Sequence, residues 1–203
     1  MKIAIIVEGE TERAFLPLLR AFLKARLACP MPKVVAVPQR GRIPKGDALK
    51  RLVEGLLTYW KEPADAVIAL TDVYTGTKDF VDAADAKAKM RNWVGPNPKF
   101  YPHAAQYDFE AWLLPFWSEI QRLAKSNRTA PGSSPELVNH NNPPAHRIRE
   151  VFLKGGSGRA YVKPRDAHRI LKGKDLLIAA QACPELKAFL NTILTLCQAD
   201  PIA

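Results

Sequence analysis

An open, mostly parallel α/β sheet flanked by helices, continued into a helical C-terminal extension, is the architecture implied by this 203-residue chain. Three short apolar runs rich in β-branched residues, IAIIV at 3–7, KVVAV at 33–37 and AVIAL at 66–70, have the continuous hydrophobicity of strands covered on both faces. Stretches with helical spacing follow each of them, and strand–helix alternation places successive strands parallel, joined by right-handed crossovers. The alternation occupies residues 1–125, read as the α/β core. Residues 126–203 carry only helical patterns and are read as an extension packed on or beside it.

Each element has its own signal. After the first strand, Phe15, Leu18, Leu19, Phe22 and Leu23 recur on one helical face, with Thr11 as the expected N-cap. Pro17 would remove one helical hydrogen bond, so a kink or a late start is expected there. A basic, Gly/Pro-punctuated loop at 39–46 leads to a helix capped by Asp47 and running to about Trp60. Residues 80–94 read as a surface helix, and 99–106 as a strand whose Pro102 points to a sheet edge or a bulge. Helical spacing resumes in EAWLLPFWSEIQRLAK. Residues 126–146, rich in Ser, Asn and Pro, read as a long surface connection, and 147–203 as short helices.

Composition narrows the function classes. No apolar run approaches the roughly 18–20 residues that span a bilayer, and no basic-then-apolar leader opens the chain, so a cytoplasmic location is expected. Cys29, Cys183 and Cys197 form no C-x-x-C pair and read as core thiols, and the histidines have no zinc-ligand spacing. A net charge of +10 favours a polyanionic partner, DNA or RNA first, because lysines and arginines that neutralise phosphates release counterions.

Ligands of open α/β sheets bind beyond the carboxyl ends of the strands. There the first strand delivers Glu8 and Gly9, the third Asp72 with Asp79 close behind, and the fourth Asp108 and Glu110. Carboxylates gathered on one rim repel one another unless a hard divalent cation joins them, so Mg2+ or Mn2+ is the expected cofactor. Such a cation neutralises phosphate oxygens and activates water. Glu8, Asp72 and Glu110 are the leading candidates for metal binding and catalysis. Glu12 and Asp79 are further metal candidates, although Glu10 and Glu12 equally suit a helix start and Asp79 or Asp108 a helix cap. Gly9 would permit a sharp turn and close phosphate approach. Arg40, Arg42, Lys45, Arg147, Lys163 and Arg165 are candidates for nucleic-acid phosphates, alongside a solvated-surface reading of the same charges. The glycine-rich KGGSGRAYVK at 154–163 lacks the P-loop pattern and reads as a flexible loop.

The stretch IIVEGETE resembles the opening of the Toprim fold shared by topoisomerases, DnaG-type primases and overcoming-lysogenization-defect (OLD) nucleases. More closely, the chain resembles the DUF4276 family, a Toprim-related group, through TDVYTGTKDF at 71–80, QYDFEAWLLP at 106–115, and the segments PELVNHNNPPAHRI, YVKPRDAHRIL and ACPELKAFLNTIL. The resemblance implies a Toprim-like fold, with Glu8 similar to the Toprim glutamate and Asp72 to the first aspartate of its D-x-D pair. Tyr74 stands where the second aspartate belongs, so Glu110 or Asp79 would supply the missing ligand. It also implies a phage-defence setting with an ATPase partner of the ABC or OLD type. The expected function is a metal-dependent nucleic-acid phosphodiesterase, a Toprim-type nuclease with water as nucleophile. The alternative is a non-catalytic Toprim-like module that binds nucleic acid or a partner, which Tyr74 favours.

Overall fold

A computed structural model of the chain describes residues 1–73, 79–132, 134–138 and 142–203. The three apolar runs and the Pro102 segment form strands β1 (Lys2–Val7), β2 (Lys33–Pro38), β3 (Ala66–Asp72) and β4 (Phe100–Ala105). All pair in parallel, in the order β2-β1-β3-β4. Pro102 lies on the edge strand, where a missing N–H leaves no ladder bond unmade on the outer side.

Alternation along the strands decides which helices cover which face. Ile3, Ile5 and Val7 of β1 with Ile68 and Leu70 of β3 pack against α1 (Glu10–Lys24), whereas Ala4, Ile6, Val67 and Ala69 face α2 (Gly46–Thr58) and α3 (Ala83–Val94). From β1 the chain crosses to β2 over one face, and from β3 to β4 over the other. This reversal leaves a crevice at the carboxyl ends of β1 and β3.

The C-terminal residues pack on the α1 face. A 3-10 helix (Phe109–Phe116), α4 (Trp117–Ala124), α5 (Pro144–Lys154), α6 (Lys163–Leu171), α7 (Leu176–Ala182) and α8 (Pro184–Leu196) share one continuous apolar cluster with β1 and α1. Trp112 is its centre, with ring centroids 5.3 Å from Phe109 and 6.0 Å from Phe189. Truncating an aromatic of this kind to Ala costs about 3–5 kcal/mol.

Several local expectations change. Helix α1 starts at Glu10 with Gly9 as its cap, not Thr11, and continues across Pro17. Pro17 is exposed, so water can satisfy the carbonyl it leaves unbonded. Helix α2 starts after Lys45, with Asp47 inside its first turn. Asp82, whose carboxylate accepts the Asp85 N–H at 2.8 Å, caps α3 in place of Asp79. The helical run after Glu110 divides at Phe116 into a 3-10 segment containing Pro115 and the α4 helix.

The glycine-rich turn is pinned rather than loose. Gly156 N–H donates to Lys125 O at 2.9 Å and Ser157 N–H to Ala124 O at 3.0 Å. A Cβ on Gly155 would stand 2.2 Å from Ala124 O. All three cysteines are free thiols; Cys183 and Cys197 are buried, but Cys29 is exposed and is not a core residue. Among the described residues no helix is long and apolar enough to cross a membrane.

Candidate functional site

Glu8 is the first residue beyond β1, and neighbours from β3 fix its carboxylate. Its Oε1 accepts the Thr71 hydroxyl and, at 3.1 Å, the backbone N–H of Asp72. Glu12 reaches back one helical turn, its Oε2 accepting the Gly9 N–H at 3.0 Å, the glutamate half of a capping box. Gly9 itself is extended (φ −161°), and a Cβ there would meet only Glu12 Oε2 at 3.8 Å. It requires no glycine-only turn, contrary to expectation.

Glu110 arrives from the opposite wall. It sits in the first turn of the 3-10 helix with no exposed surface, its Oε1 accepting the Tyr161 hydroxyl at 3.3 Å and its Oε2 the Lys163 ammonium at 3.0 Å. Asp108, two residues earlier, accepts the Ala145 N–H at the start of α5 through Oδ2 at 3.0 Å, while its Oδ1 is buried without a hydrogen-bond partner.

These groups act on one another electrostatically. Burial, then the charges of Glu8, Glu12, Asp108 and Glu110, push Asp72 well above the usual aspartate range. Burial raises Glu8 to about 7 against the lowering effect of its hydrogen bonds from Thr71 and Asp72. Asp108 also rises to about 7, through burial and then the Glu110 charge. Glu12 rises with burial and the Glu110 charge. Burial works against the Lys163 ammonium, but Glu110, Asp72 and Asp108 outweigh it and hold its pKa above that of an ordinary lysine. One ammonium thus faces five crowded carboxyl groups.

Glu8, Glu12, Asp72 and Glu110 therefore come together as the sequence suggests. Asp79 instead pairs with Lys45 at 2.6 Å. Tyr74 lies outside the described residues. Of the basic candidates, Arg40 and Arg42 flank Gly41, whose N–H donates to the Glu8 carbonyl at 2.7 Å, so this exposed turn borders the acid centre. Arg40 (φ 40°) and Gly41 (φ 100°) adopt the left-handed conformations of a tight turn. Arg147 is partly buried, with Nε unpartnered. Lys163, also read as a phosphate contact, donates to Glu110 at 3.0 Å while its side chain stays 34% exposed. Arg165 binds Asp166.

Two buried acids escaped the sequence reading, Glu136 and Asp166, whereas Asp108 holds the expected cap position, before the 3-10 helix. Glu136 takes the Trp112 indole N–H at 3.1 Å and the Glu185 N–H at 3.0 Å, so it braces α8 instead of joining the site. Tyr161 gave no sequence signal either.

The donors here are carboxylate oxygens, the hard ligands that suit Mg2+ or Mn2+, and the orphaned Asp108 Oδ1 is a buried acceptor that a cation or its water would satisfy. Among the described residues, no three Asp, Glu, His or Cys side chains already stand as a complete ligand set.

The family model described as "Domain of unknown function (DUF4276)" matches residues 7–194. No curated protein matches the sequence. The C-terminal region of the Burkholderia pseudomallei OLD protein is similar in fold, with a TM-score of 0.54 at 14% identity over 96% of this chain and 98% of that one. The C-terminal region of the Xanthomonas campestris pv. campestris OLD protein gives a TM-score of 0.45 at 11% identity, covering 95% and 97% of the two chains. The first of these likenesses shows a shared fold, in keeping with the Toprim-like α/β architecture.

Proposed function

We propose that this chain, which belongs to the DUF4276 family, is a metal-dependent phosphodiesterase acting on DNA or RNA. The observation that supports the reading is the crowding of Glu8, Glu12, Asp72, Asp108 and Glu110 at the carboxyl ends of β1 and β3, with one buried oxygen of Asp108 left unpartnered. Glu8, Asp72 and Glu110 would hold Mg2+ or Mn2+, with Glu12 adjoining and Asp79 outside the set. A cation bound there would supply Lewis acidity and a nucleophilic water at neutral pH.

The chain's own residues do the positioning. Thr71 and the Asp72 N–H fix Glu8 Oε1, the Gly9 N–H fixes Glu12, and Tyr161 with Lys163 fixes Glu110. Arg40 and Arg42 on the adjoining turn would hold phosphates beside the acids, countering the repulsion that carboxylates alone offer a polyanion. By resemblance, an ATPase of the ABC or OLD type and a role in phage defence complete the proposal.

A second reading, a binding module without catalysis, is favoured by Lys163, whose ammonium already neutralises Glu110. Incubation of the protein with DNA and with RNA in Mg2+ or Mn2+, alone and with a neighbouring ATPase, separates the two. Chelator-sensitive cleavage lost in Glu8→Ala and Asp72→Ala is expected. Cleavage unchanged in both variants would sink the proposed site, and salt-sensitive binding without cleavage would favour the module.

A further inference from the structure

Beyond the acid centre, α6 carries an arrangement that the proposed chemistry does not use. Asp166, in its first turn, has a fully buried carboxylate. Arg159 Nη1 donates to its two oxygens at 2.9 and 2.7 Å, the Val162 N–H to Oδ2 at 2.8 Å, and Arg165 Nε and Nη2 to one oxygen each at 3.1 Å. Arg169 Nη1 stands 3.8 Å from Oδ1. These donors saturate the carboxylate, and one negative charge set against three guanidiniums leaves two positive charges over.

The surplus faces outward. The Asp166 side chain is 0% exposed, but those of Arg165 and Arg169 are 44% and 51% exposed, so their remaining N–H groups reach solvent. Arg159 is held from a second side, its guanidinium 4.8 Å from the centroid of the Phe152 ring. Phe152 in turn packs on Tyr161 at 5.4 Å, and Tyr161 and Lys163 bind Glu110. The arginine cluster and the two side chains that hold Glu110 thus share the same short segment, 159–169. A carboxylate whose only task was to anchor the start of α6 would need no more than the Val162 N–H and one arginine. Two arginines hydrogen-bonded to the carboxylate and a third 3.8 Å from it, with Arg165 and Arg169 half-exposed, form instead an edge of planar donors suited to phosphate oxygens.

We propose that Asp166 is a positioning residue that gathers Arg159, Arg165 and Arg169 into an anion-binding edge for the phosphodiester backbone of a nucleic acid running past Lys163 toward Glu110. The inference rests on the reading that this chain acts on nucleic acid, and it names the surface that holds the strand. Arg169 and Arg159 thereby join Arg165 as backbone contacts.

The test is equilibrium binding of a fluorescein-labelled DNA duplex, and of RNA of the same sequence, in chelator so that no cleavage intervenes, across a range of salt concentrations. In Arg165→Ala/Arg169→Ala the affinity should fall roughly tenfold or more at low salt, with the slope of log K against log salt shallower by about 1.5–2. Arg165→Lys/Arg169→Lys should recover the slope but only part of the affinity, since lysine keeps the charge and loses the planar fork. Asp166→Asn is the sharper arm. It removes a negative charge, so a merely electrostatic surface would bind more tightly, whereas loss of positioning weakens binding. Should Asp166→Asn not fold, the exposed arginine pair decides alone. Wild-type affinity and slope in the double alanine variant, or no binding of either nucleic acid by the wild type, overturns the proposal. Binding that depends on these arginines without cleavage in any metal would remove the phosphodiesterase reading and leave this one standing.

Discussion

The backbone N–H of Asp72 donates to Oε1 of Glu8 at 3.1 Å, so the last residue of β3 and the first beyond β1 are locked together at the crevice between the two strands. The Glu8 carboxylate cannot withdraw from this strand end without breaking this bond and the one from Thr71. Its repulsion of the Asp72 carboxylate is therefore built into the fold, and relieving it should be measurable.

Glu8→Gln removes one charge while keeping an acceptor for Thr71 and Asp72. In chelator at pH 8 the variant should be more stable than wild type by up to about 3 kcal/mol, because the side chain whose pKa burial raises to about 7 no longer has to ionise. Adding Mg2+ or Mn2+ should raise the melting temperature of the wild type and leave that of the variant nearly unchanged. Equal metal-induced shifts in calorimetry would exclude Glu8 as a ligand.

Lys163→Met should destabilise the metal-free protein strongly, by about 3–5 kcal/mol, since it leaves the buried Glu110 carboxylate without its cation. Pairing the substitution with Glu110→Gln should restore most of the loss. Denaturant unfolding of the two singles and the double measures the coupling, and additive costs would show that the two groups do not interact.

His103 gives a pH dependence far from the acids. The Thr192 hydroxyl donates to Ala188 O at 3.1 Å, so its oxygen accepts from His103 Nε2–H at 2.9 Å, and the buried Nδ1 has no partner. Burial first, then Lys87 and Arg91, lower its pKa to about 4 from 6.5. The unfolded chain therefore binds more protons between these values. The contribution of His103 to stability is complete above pH 6.5 and is lost as pH falls toward 4, by up to about 3 kcal/mol. His103→Met should flatten that part of the stability–pH curve, and an unchanged curve would show that His103 is not held neutral.

Gly155→Ala should cost at least ~2 kcal/mol, because the new methyl would lie 2.2 Å from one backbone oxygen and 2.8 Å from another. Gly156→Ala, with its nearest atom at 3.5 Å, should cost well under that. Thermal melts that rank the two variants in the reverse order would contradict the close approach of this turn to the end of α4.

Much of this was legible before any coordinates. Continuous β-branched runs between helical stretches can only be buried in a sheet covered on both faces, and parallel order with right-handed crossovers follows, so the strand ends and the acids Glu8, Asp72 and Glu110 could be named from periodicity alone. Helix starts were less legible. Thr11, Asp47 and Asp79 are good capping residues by type, yet Gly9, Lys45 and Asp82 hold those positions, since a cap depends on where the chain leaves the sheet.

The identity of the strands, the parallel order and the acid-bearing rim were determined by the sequence itself, because they rest on local hydrophobic period and on the short reach from a strand end to the next residue. Only the tertiary structure decided that Lys163 turns inward to Glu110, that Asp108 is left with an unpartnered oxygen, that Asp79 goes to Lys45, and that Asp166 collects three arginines. Glu110 and Lys163 meet across a separation of 53 residues, while Asp166 lies within 7 residues of Arg159; in both cases the cost of burying a carboxylate alone selects the partner only once the helices have packed.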